Sequence, residues 1–174
     1  MKHLTVLLAF ALSCAFIAST AAWAVSPVEN QGLGVPANRI IGLWSTEGAT
    51  QPCGSTLPFT PVRNTILFQA GGTVIATPRF SPAGAPNVFG VPGINQRSQD
   101  MGTWSYDPLT QEYTVKLRFD WYVDGQYHGY QTVDRTIALN EEGDAGIGPV
   151  RSTRYAADGS VIIEVCGEAM SERL

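Results

Sequence analysis

The amino-acid sequence predicts an all-β domain, an antiparallel up-and-down meander of about eight strands closed into a barrel. Apolar residues alternate with polar ones throughout residues 112–123, which is the period of a strand with one buried face. The chain also contains 18 Gly and 11 Pro residues, so turns must be numerous. No segment between the predicted strands shows a convincing helical period, which disfavours folds built from parallel strands and crossover helices.

The longest predicted strand begins a hairpin, and shorter strands surround that hairpin. Asp124-Gly125 is a favoured two-residue turn, and residues 127–139 form the return strand. Closing the meander into a barrel removes exposed strand edges, and a two-sheet β-sandwich is the alternative arrangement. The remaining strands are predicted over residues 39–45, 62–69, 73–77, 101–106, 147–155 and 160–166.

The first 24 residues have the pattern of a secretory signal peptide. A basic start precedes an almost wholly apolar run over residues 4–17 and a small-residue cleavage site, Ala22-Trp23-Ala24. A membrane anchor is the alternative, but the apolar run is shorter than the roughly 20 residues that span a bilayer. Residues 25–38 form a non-periodic arm, and residues 39–174 form a single domain. We expect the mature chain in the bacterial periplasm or outside the cell, without a transmembrane segment.

Export bears on the two cysteines of the mature chain, Cys53 and Cys166. They predict one disulfide bond, because exported proteins meet oxidising conditions, and two buried free thiols are the alternative. The predicted strands place Cys166 near the beginning of the first strand, so residues 46–61 are expected to carry Cys53 back along the barrel. Cys53, Cys166 and His128 lack the close spacing of metal ligands, and we expect no metal and no cofactor.

Composition and motifs exclude several function classes. The net charge of −4 does not provide the basic face that a nucleic-acid-binding protein needs. His128 is the only histidine after residue 24, and the sequence contains no nucleophile elbow, zinc-protease motif or phosphate-binding loop. These motifs therefore do not indicate catalysis, and an isomerase or cyclase that works through the shape of its cavity is the less favoured alternative. Arginine outnumbers lysine nine to one in the mature chain, a bias for which the sequence offers no functional account.

Two short motifs predict how one end of the barrel is filled. Gly42-Leu43-Trp44-Ser45 and Gly102-Thr103-Trp104-Ser105 share the pattern G-x-W-S, and each marks the beginning of a strand. We expect Trp44 and Trp104 to plug one end of the barrel.

Residues 39–166 resemble the lipocalin and calycin barrels, because they have a G-x-W motif in the first strand and a pattern of eight strands. That resemblance implies an apolar ligand held inside the barrel, although the sequence lacks a T-D-Y-type motif and a helix after the last strand.

Residues 78–100 form a long loop that is rich in Pro and Gly. Loops of this length in compact domains are usually functional or disordered. The loop carries apolar anchors, among them Phe80, Phe89 and Ile94, so we expect it to fold as a lid over the mouth of the barrel. Passive packing against the outer wall is the alternative.

The inner wall follows from the register of the predicted hairpin. A two-residue turn at Asp124-Gly125 pairs Trp121 with His128, whereas a three-residue loop would turn Gly129, Gln131, Val133, Arg135 and Ile137 inward. His128 is also close to the turn and could be a surface residue at the rim. With the two-residue turn, the candidate ligand-binding wall consists of Tyr113, Val115, Leu117, Phe119, Trp121, His128, Tyr130 and Asp134.

These observations favour an exported barrel that binds a small apolar or aromatic ligand. A mixed wall of aromatic and hydrogen-bonding groups is typical of ligand sites. The alternative is a non-catalytic structural or protein-interaction module of the cell envelope. The interior distinguishes the two, because an eight-stranded barrel can be hollow or filled with side chains.

Overall fold

Ten β-strands and two short 3-10 helices occupy residues 35–174, the part of the chain that the computed structural model describes. The helices are Pro36–Asn38 and Val88–Gly90. The predicted signal peptide and residues 25–34 of the predicted arm lie outside the described residues. The strands are β1 (Gly42–Pro52), β2 (Thr60–Phe68), β3 (Thr73–Pro78), β4 (Ala85–Pro86), β5 (Ile94–Arg97), β6 (Asp100–Asp107), β7 (Glu112–Val123), β8 (Gln126–Leu139), β9 (Ala145–Ala156) and β10 (Val161–Arg173).

The long strands form a closed antiparallel barrel with up-and-down connections. Each strand pairs with the next long strand in the chain, and β10 pairs with β1 to close the barrel. Strands β5 and β6 pair with successive stretches of β7, so together they occupy one of the eight places in the wall. The predicted all-β meander and its closure are therefore confirmed. Within residues 35–174, no helix has the length and apolar character needed to cross a membrane.

The first and last strands are longer than the sequence pattern predicts. Strand β1 continues to Pro52 and β10 to Arg173, and their register places Gln51 opposite Cys166. Cys53 directly follows β1 and forms the predicted disulfide with Cys166, 113 residues further along the chain. The expected return of residues 46–61 along the barrel is wrong, because β1 itself carries the chain to the level of Cys166.

The β7–β8 hairpin has the predicted turn but not the predicted register. Asp124-Gly125 is a two-residue turn that pairs Val123 with Gln126, and a β-bulge follows at His128. Because the bulge inserts one extra residue, every later pair is shifted by one position. The predicted pairing of Trp121 with His128 is wrong. The observed pairs are Trp121 with Gly129, Phe119 with Gln131, Leu117 with Val133, Val115 with Arg135 and Tyr113 with Ile137.

Aromatic side chains cluster at the end of the barrel opposite the 78–100 loop. Trp44 is only 1% exposed, and its indole N–H donates to the Ile40 carbonyl at 2.7 Å. Trp104 is half-buried, and its ring centre lies 6.0 Å from that of Tyr113. The Tyr113 hydroxyl donates to the Pro36 carbonyl in the first 3-10 helix. The structure thus places both tryptophans of the G-x-W-S motifs at this end.

Candidate functional site

The 78–100 loop is ordered over the opposite end of the barrel. Strand β4 pairs with β5, which extends along the last residues of β7, so backbone hydrogen bonds tie the loop to the wall. Asn95 is fully buried, and its amide donates to the carbonyls of Val91 and Gly93, both at 3.0 Å. Arg154 of β9 donates to the Asn95 side-chain oxygen at 2.9 Å and to the Val88 carbonyl at 3.3 Å. These bonds hold the loop against the inner face of the barrel.

An open cavity of about 310 Å³ lies between the two ends of this loop, where the wall is incomplete. Strand β3 pairs with β6 as far as Ala76 and Asp100, and beyond that point Thr77 and Pro78 pair with β2 alone. Gln99 bridges the gap by donating to the Thr77 hydroxyl at 2.9 Å. The cavity is lined by residues 77, 78, 80–82 and 96–99. A volume of this size lies at the lower end of the range of small-molecule sites.

Phe80 and Arg97 connect this cavity to the inner face of the barrel. Both side chains line the cavity. The ring of Phe80 meets the ring of Trp121 edge-on, with centres 6.2 Å apart. The Arg97 guanidinium carbon lies 3.6 Å from the centre of the Phe119 ring. Phe119 and Trp121 are 3% and 2% exposed, so one layer of side chains separates the cavity from the buried aromatic wall.

The predicted lid residues occupy different environments. Phe80 contacts the predicted wall at Trp121, as described above. Phe89 is half-buried and lies in the second 3-10 helix with a left-handed φ of +53°. Ile94 is 42% exposed and faces solvent.

The predicted wall residues divide between the two faces of the barrel. The five residues from β7 are buried on the inner face, with exposed fractions of 1–7%. The β-bulge turns Tyr130 and Asp134 away from that face, whereas His128 is the inserted residue of the bulge and is half-buried, with a buried Nδ1 atom. Tyr130 instead stacks on Tyr155 with ring centres 4.8 Å apart. The β7 residues are Tyr113, Val115, Leu117, Phe119 and Trp121.

Polar side chains of β8 and β9 form a hydrogen-bonded chain inside the barrel. The Trp121 indole donates to the Gln131 side-chain oxygen at 2.6 Å, and the Gln131 amide donates to the Ser152 hydroxyl at 2.5 Å. Ser152 in turn donates to the Thr132 carbonyl at 2.7 Å. These buried polar groups are therefore satisfied, as the protein interior requires. In the predicted hairpin, Gln131 faces inward only in the alternative register.

Two arginines lie inside the barrel without a carboxylate partner. Arg135 is 5% exposed and Arg154 is 1% exposed, and neither forms an ion pair within the described part of the chain. Burial lowers the pKa of each guanidinium to about 10, so both are charged at neutral pH. Arg135 donates to the Ser171 hydroxyl at 3.0 Å and to the Ala169 carbonyl at 2.9 Å.

Arg97 differs from these two arginines because it has a buried counter-ion. It forms an ion pair with Asp100, whose side chain is 2% exposed. Burial raises the pKa of Asp100 above its usual value, and the charge of Arg97 opposes that rise. The excess positive charge inside the barrel therefore comes from Arg135 and Arg154. Across residues 35–174, no cluster of three or more His, Cys, Asp or Glu side chains could hold a metal ion.

No protein-family model matches the chain, and comparison with curated proteins finds no significant match. The likeness to lipocalins therefore rests on the closed eight-stranded antiparallel barrel that the structure shares with the fold this resemblance implies.

Sequence reasoning missed Asn95, Arg97 and Arg154 as parts of this site. Arg154 belongs to an alternating set on β9 that reads Gly146, Gly148, Val150, Ser152 and Arg154. Small and polar residues do not form a recognisable apolar face. Their alternation with a period of two could nevertheless have identified them as the inner face of a strand. Asn95 and Arg97 lie in a four-residue strand, which is too short to produce a periodic signal.

Proposed function

We propose that this protein is an exported barrel that binds a small, largely apolar or aromatic molecule in the cavity between the two ends of the 78–100 loop. The observation that carries the proposal is the position of that cavity. It lies in a gap of the barrel wall, and Phe80 and Arg97 connect it to the aromatic rings of Trp121 and Phe119. Three apolar and six polar residues line the cavity, and ligand sites combine apolar surface with polar groups that orient the ligand.

The position of the cavity favours a ligand that binds at the barrel wall rather than in the centre of the barrel. The β7 face is at most 7% exposed from Tyr113 to Trp121, so it offers little free surface for a ligand. The cavity between the two ends of the loop is accessible, and Pro78, Phe80 and Pro82 supply its apolar lining. A bound ring would therefore lie against Phe80 and, if Phe80 turned aside, against Trp121.

One experiment tests the binding site directly. The purified protein is titrated with 2-naphthalenemethanol, and calorimetry and Trp fluorescence monitor the binding. We expect saturable binding. Ser81→Trp places a bulky ring in the cavity and should abolish that binding. Ser105→Trp is the matched control, because Ser105 is exposed on β6 far from the lining residues, and binding should be retained. Unchanged binding by Ser81→Trp would overturn the proposed site.

A protein-interaction module is the second candidate, and a row of apolar side chains on the outer face favours it. Leu43 pairs with Leu67, Leu67 with Ile75, and Ile75 with Met101, across four neighbouring places of the wall. Leu43, Leu67 and Met101 are 44%, 37% and 64% exposed. Contiguous apolar surface of this kind often marks a protein contact.

Native mass spectrometry of the non-reduced protein distinguishes the two candidates. A retained mass of a few hundred daltons that is lost on denaturation supports the ligand-binding barrel. A bare chain that binds no aromatic or fatty-acid probe, but assembles with another protein through the Leu67 face, supports the interaction module. Substitution of Leu67 by Asp should then abolish that assembly.

A further inference from the structure

Arg97 is the one charged residue among the nine that line the cavity between the two ends of the 78–100 loop. Its guanidinium forms an ion pair with Asp100, which is not a lining residue and whose side chain is 2% exposed. The lining therefore presents an arginine whose charge the protein already neutralises. An anionic ligand would add a second negative charge beside this pair, at a cost in desolvation that no further cation of the lining offsets.

Most of the hydrogen-bonding capacity of Arg97 is unused. A guanidinium has five N–H donors, and within residues 35–174 this one donates only from Nη2 to Asp100. Its Nε atom is buried and has no partner. The Phe119 ring covers one face of the guanidinium, and the N–H groups, which lie in the plane of the guanidinium, do not take part in that contact. A ligand that reaches Arg97 therefore meets donors that the protein does not satisfy.

Two glutamines in the same lining provide acceptors. The Gln96 side-chain N–H donates to the Pro82 carbonyl at 3.1 Å, and that of Gln99 donates to the Thr77 hydroxyl at 2.9 Å. These bonds hold the nitrogen of each amide against the protein, and neither side-chain oxygen accepts a hydrogen bond from residues 35–174. The lining thus combines unsatisfied donors with free acceptors and carries no excess charge.

We propose that the polar end of the ligand is a neutral carboxamide, whose oxygen accepts from Arg97 and whose N–H donates to the side-chain oxygen of Gln96 or Gln99. This inference rests on the proposed ligand-binding function and specifies its ligand class. The apolar or aromatic body of the ligand would lie against Phe80, which lines the same cavity.

The chemistry of the lining favours this group over a carboxylate of the same shape. A carboxamide has an acceptor and donors on two neighbouring atoms in one plane, so it can bond to an arginine and to a glutamine oxygen at once. A carboxylate has acceptors only, and its charge duplicates the one that Asp100 already supplies to Arg97.

A matched pair of probes tests the preference. The purified protein is titrated by calorimetry with 2-naphthamide and with 2-naphthoate, which have nearly the same shape and differ in charge and in the N–H donor. We expect 2-naphthamide to bind about tenfold more tightly, which corresponds to one additional hydrogen bond of ordinary strength. Equal binding of the two probes, or tighter binding of 2-naphthoate, would overturn the inference.

Removal of the counter-ion should reverse this order. Asp100→Asn keeps the shape of the side chain but leaves the Arg97 charge uncompensated, so 2-naphthoate should become the tighter probe by pairing with the guanidinium. Asp134→Asn is the control, because it removes the same charge from an exposed position on the outer face of β8, and 2-naphthamide should remain the tighter probe. An unchanged order in Asp100→Asn would contradict the role of the ion pair.

The wild-type protein offers a second readout if Asp100→Asn fails to fold. In nitrogen-15 NMR spectra, 2-naphthamide should shift the Nε–H resonance of Arg97 and leave that of Arg151 unchanged, since Arg151 is exposed and pairs with Glu164 on the outer face. Binding of 2-naphthamide without a shift at Arg97 would overturn the inference.

The outcomes also separate this inference from the proposed function. If 2-naphthalenemethanol binds but 2-naphthamide has no advantage over 2-naphthoate, the carboxamide site is overturned while the ligand-binding function stands. If none of the three probes binds, the proposed function falls as well.

Discussion

At the scale of single residues, arginine side chains connect parts of the barrel that the backbone ladders do not join. Arg173 donates to the carbonyls of Ile41 and Gly143, at 2.8 and 3.0 Å, and so ties the end of β10 to the segment before β1 and to the β8–β9 turn. Arg135 bonds β10 from β8, and Arg154 bonds the 78–100 loop from β9. A planar group with five donors can satisfy several carbonyls at once, which a lysine ammonium does less well. Arg135, Arg154 and Arg173 therefore have a structural reason to be arginine, whereas Arg63 and Arg151 are exposed and form only surface ion pairs.

Gly129 is the residue on which the register of the hairpin depends. Its φ is +135°, and a Cβ atom at this position would lie 2.1 Å from the Tyr155 carbonyl oxygen. The position therefore accepts neither the backbone conformation nor the volume of another residue. Because Gly129 follows the bulge at His128, it determines that Gln131 and Arg135 face the interior.

We predict that Gly129→Ala lowers the free energy of unfolding by roughly 2–3 kcal/mol, since it adds backbone strain and a steric clash. Urea denaturation followed by circular dichroism measures the change. Gly159→Ala is the control. Gly159 also has a positive φ, of +85°, but its added Cβ meets no atom within 4 Å, so only the conformational cost of roughly 1 kcal/mol remains. Equal losses in the two variants would show that the contact with Tyr155 is not decisive.

At the scale of strands and loops, the sequence predicts an element well where one face is apolar. Residues 112–123 alternate cleanly, and β7 has those bounds. The predicted first strand stops at residue 45, whereas β1 extends to Pro52. The prediction is too short because the later inward positions of β1 are Thr46, Gly48 and Thr50 rather than apolar residues. The polar interior therefore conceals the period of two. The same cause hides the end of β10, where Ala169 and Ser171 face inward.

The candidate site was predictable only in part for a related reason. Apolar anchors in a long loop indicated a lid, and Phe80 does contact the β7 face. The wall residues of β7 followed from alternation, whereas those of β8 depended on one inserted residue at the bulge. Alternate positions of β8 are polar on both faces, so the pattern cannot reveal a shift of one residue. Asn95 and Arg154 meet only through tertiary structure.

Asn95 is a fully buried loop residue that bonds both to the loop and to Arg154 of the barrel. Asn95→Ala removes its two bonds to loop carbonyls and the acceptor for Arg154. We expect amide hydrogen exchange in residues 81–97 to accelerate about ten- to hundredfold, while β7 and β8 stay protected. Gln96→Ala is the control, because Gln96 makes one exposed bond, to the Pro82 carbonyl, and exchange should change little. Faster exchange throughout the barrel would mean that the loop is not a separate unit.

At the scale of the whole molecule, barrel closure joins the two ends of the described chain. Strands β1 and β10 pair along residues 44–52 and 165–173, and the disulfide lies at the loop-covered end of this ladder. The covalent link therefore fixes the pair of strands with the greatest separation in sequence. Pairing of such distant segments carries a large loop-closure entropy, which the link removes from the unfolded state.

Loss of this disulfide should destabilise the barrel without changing its fold. A link across 113 residues is worth about 4–5 kcal/mol in the chain-entropy model, so reduction should lower the free energy of unfolding by that amount. The native ladder survives because its backbone hydrogen bonds do not depend on the sulfur atoms. Urea titrations with and without a reductant measure the difference. The Cys53→Ala/Cys166→Ala variant should match the reduced protein and should not respond to the reductant. A loss below about 1 kcal/mol would indicate that the reduced unfolded chain already holds these two ends together.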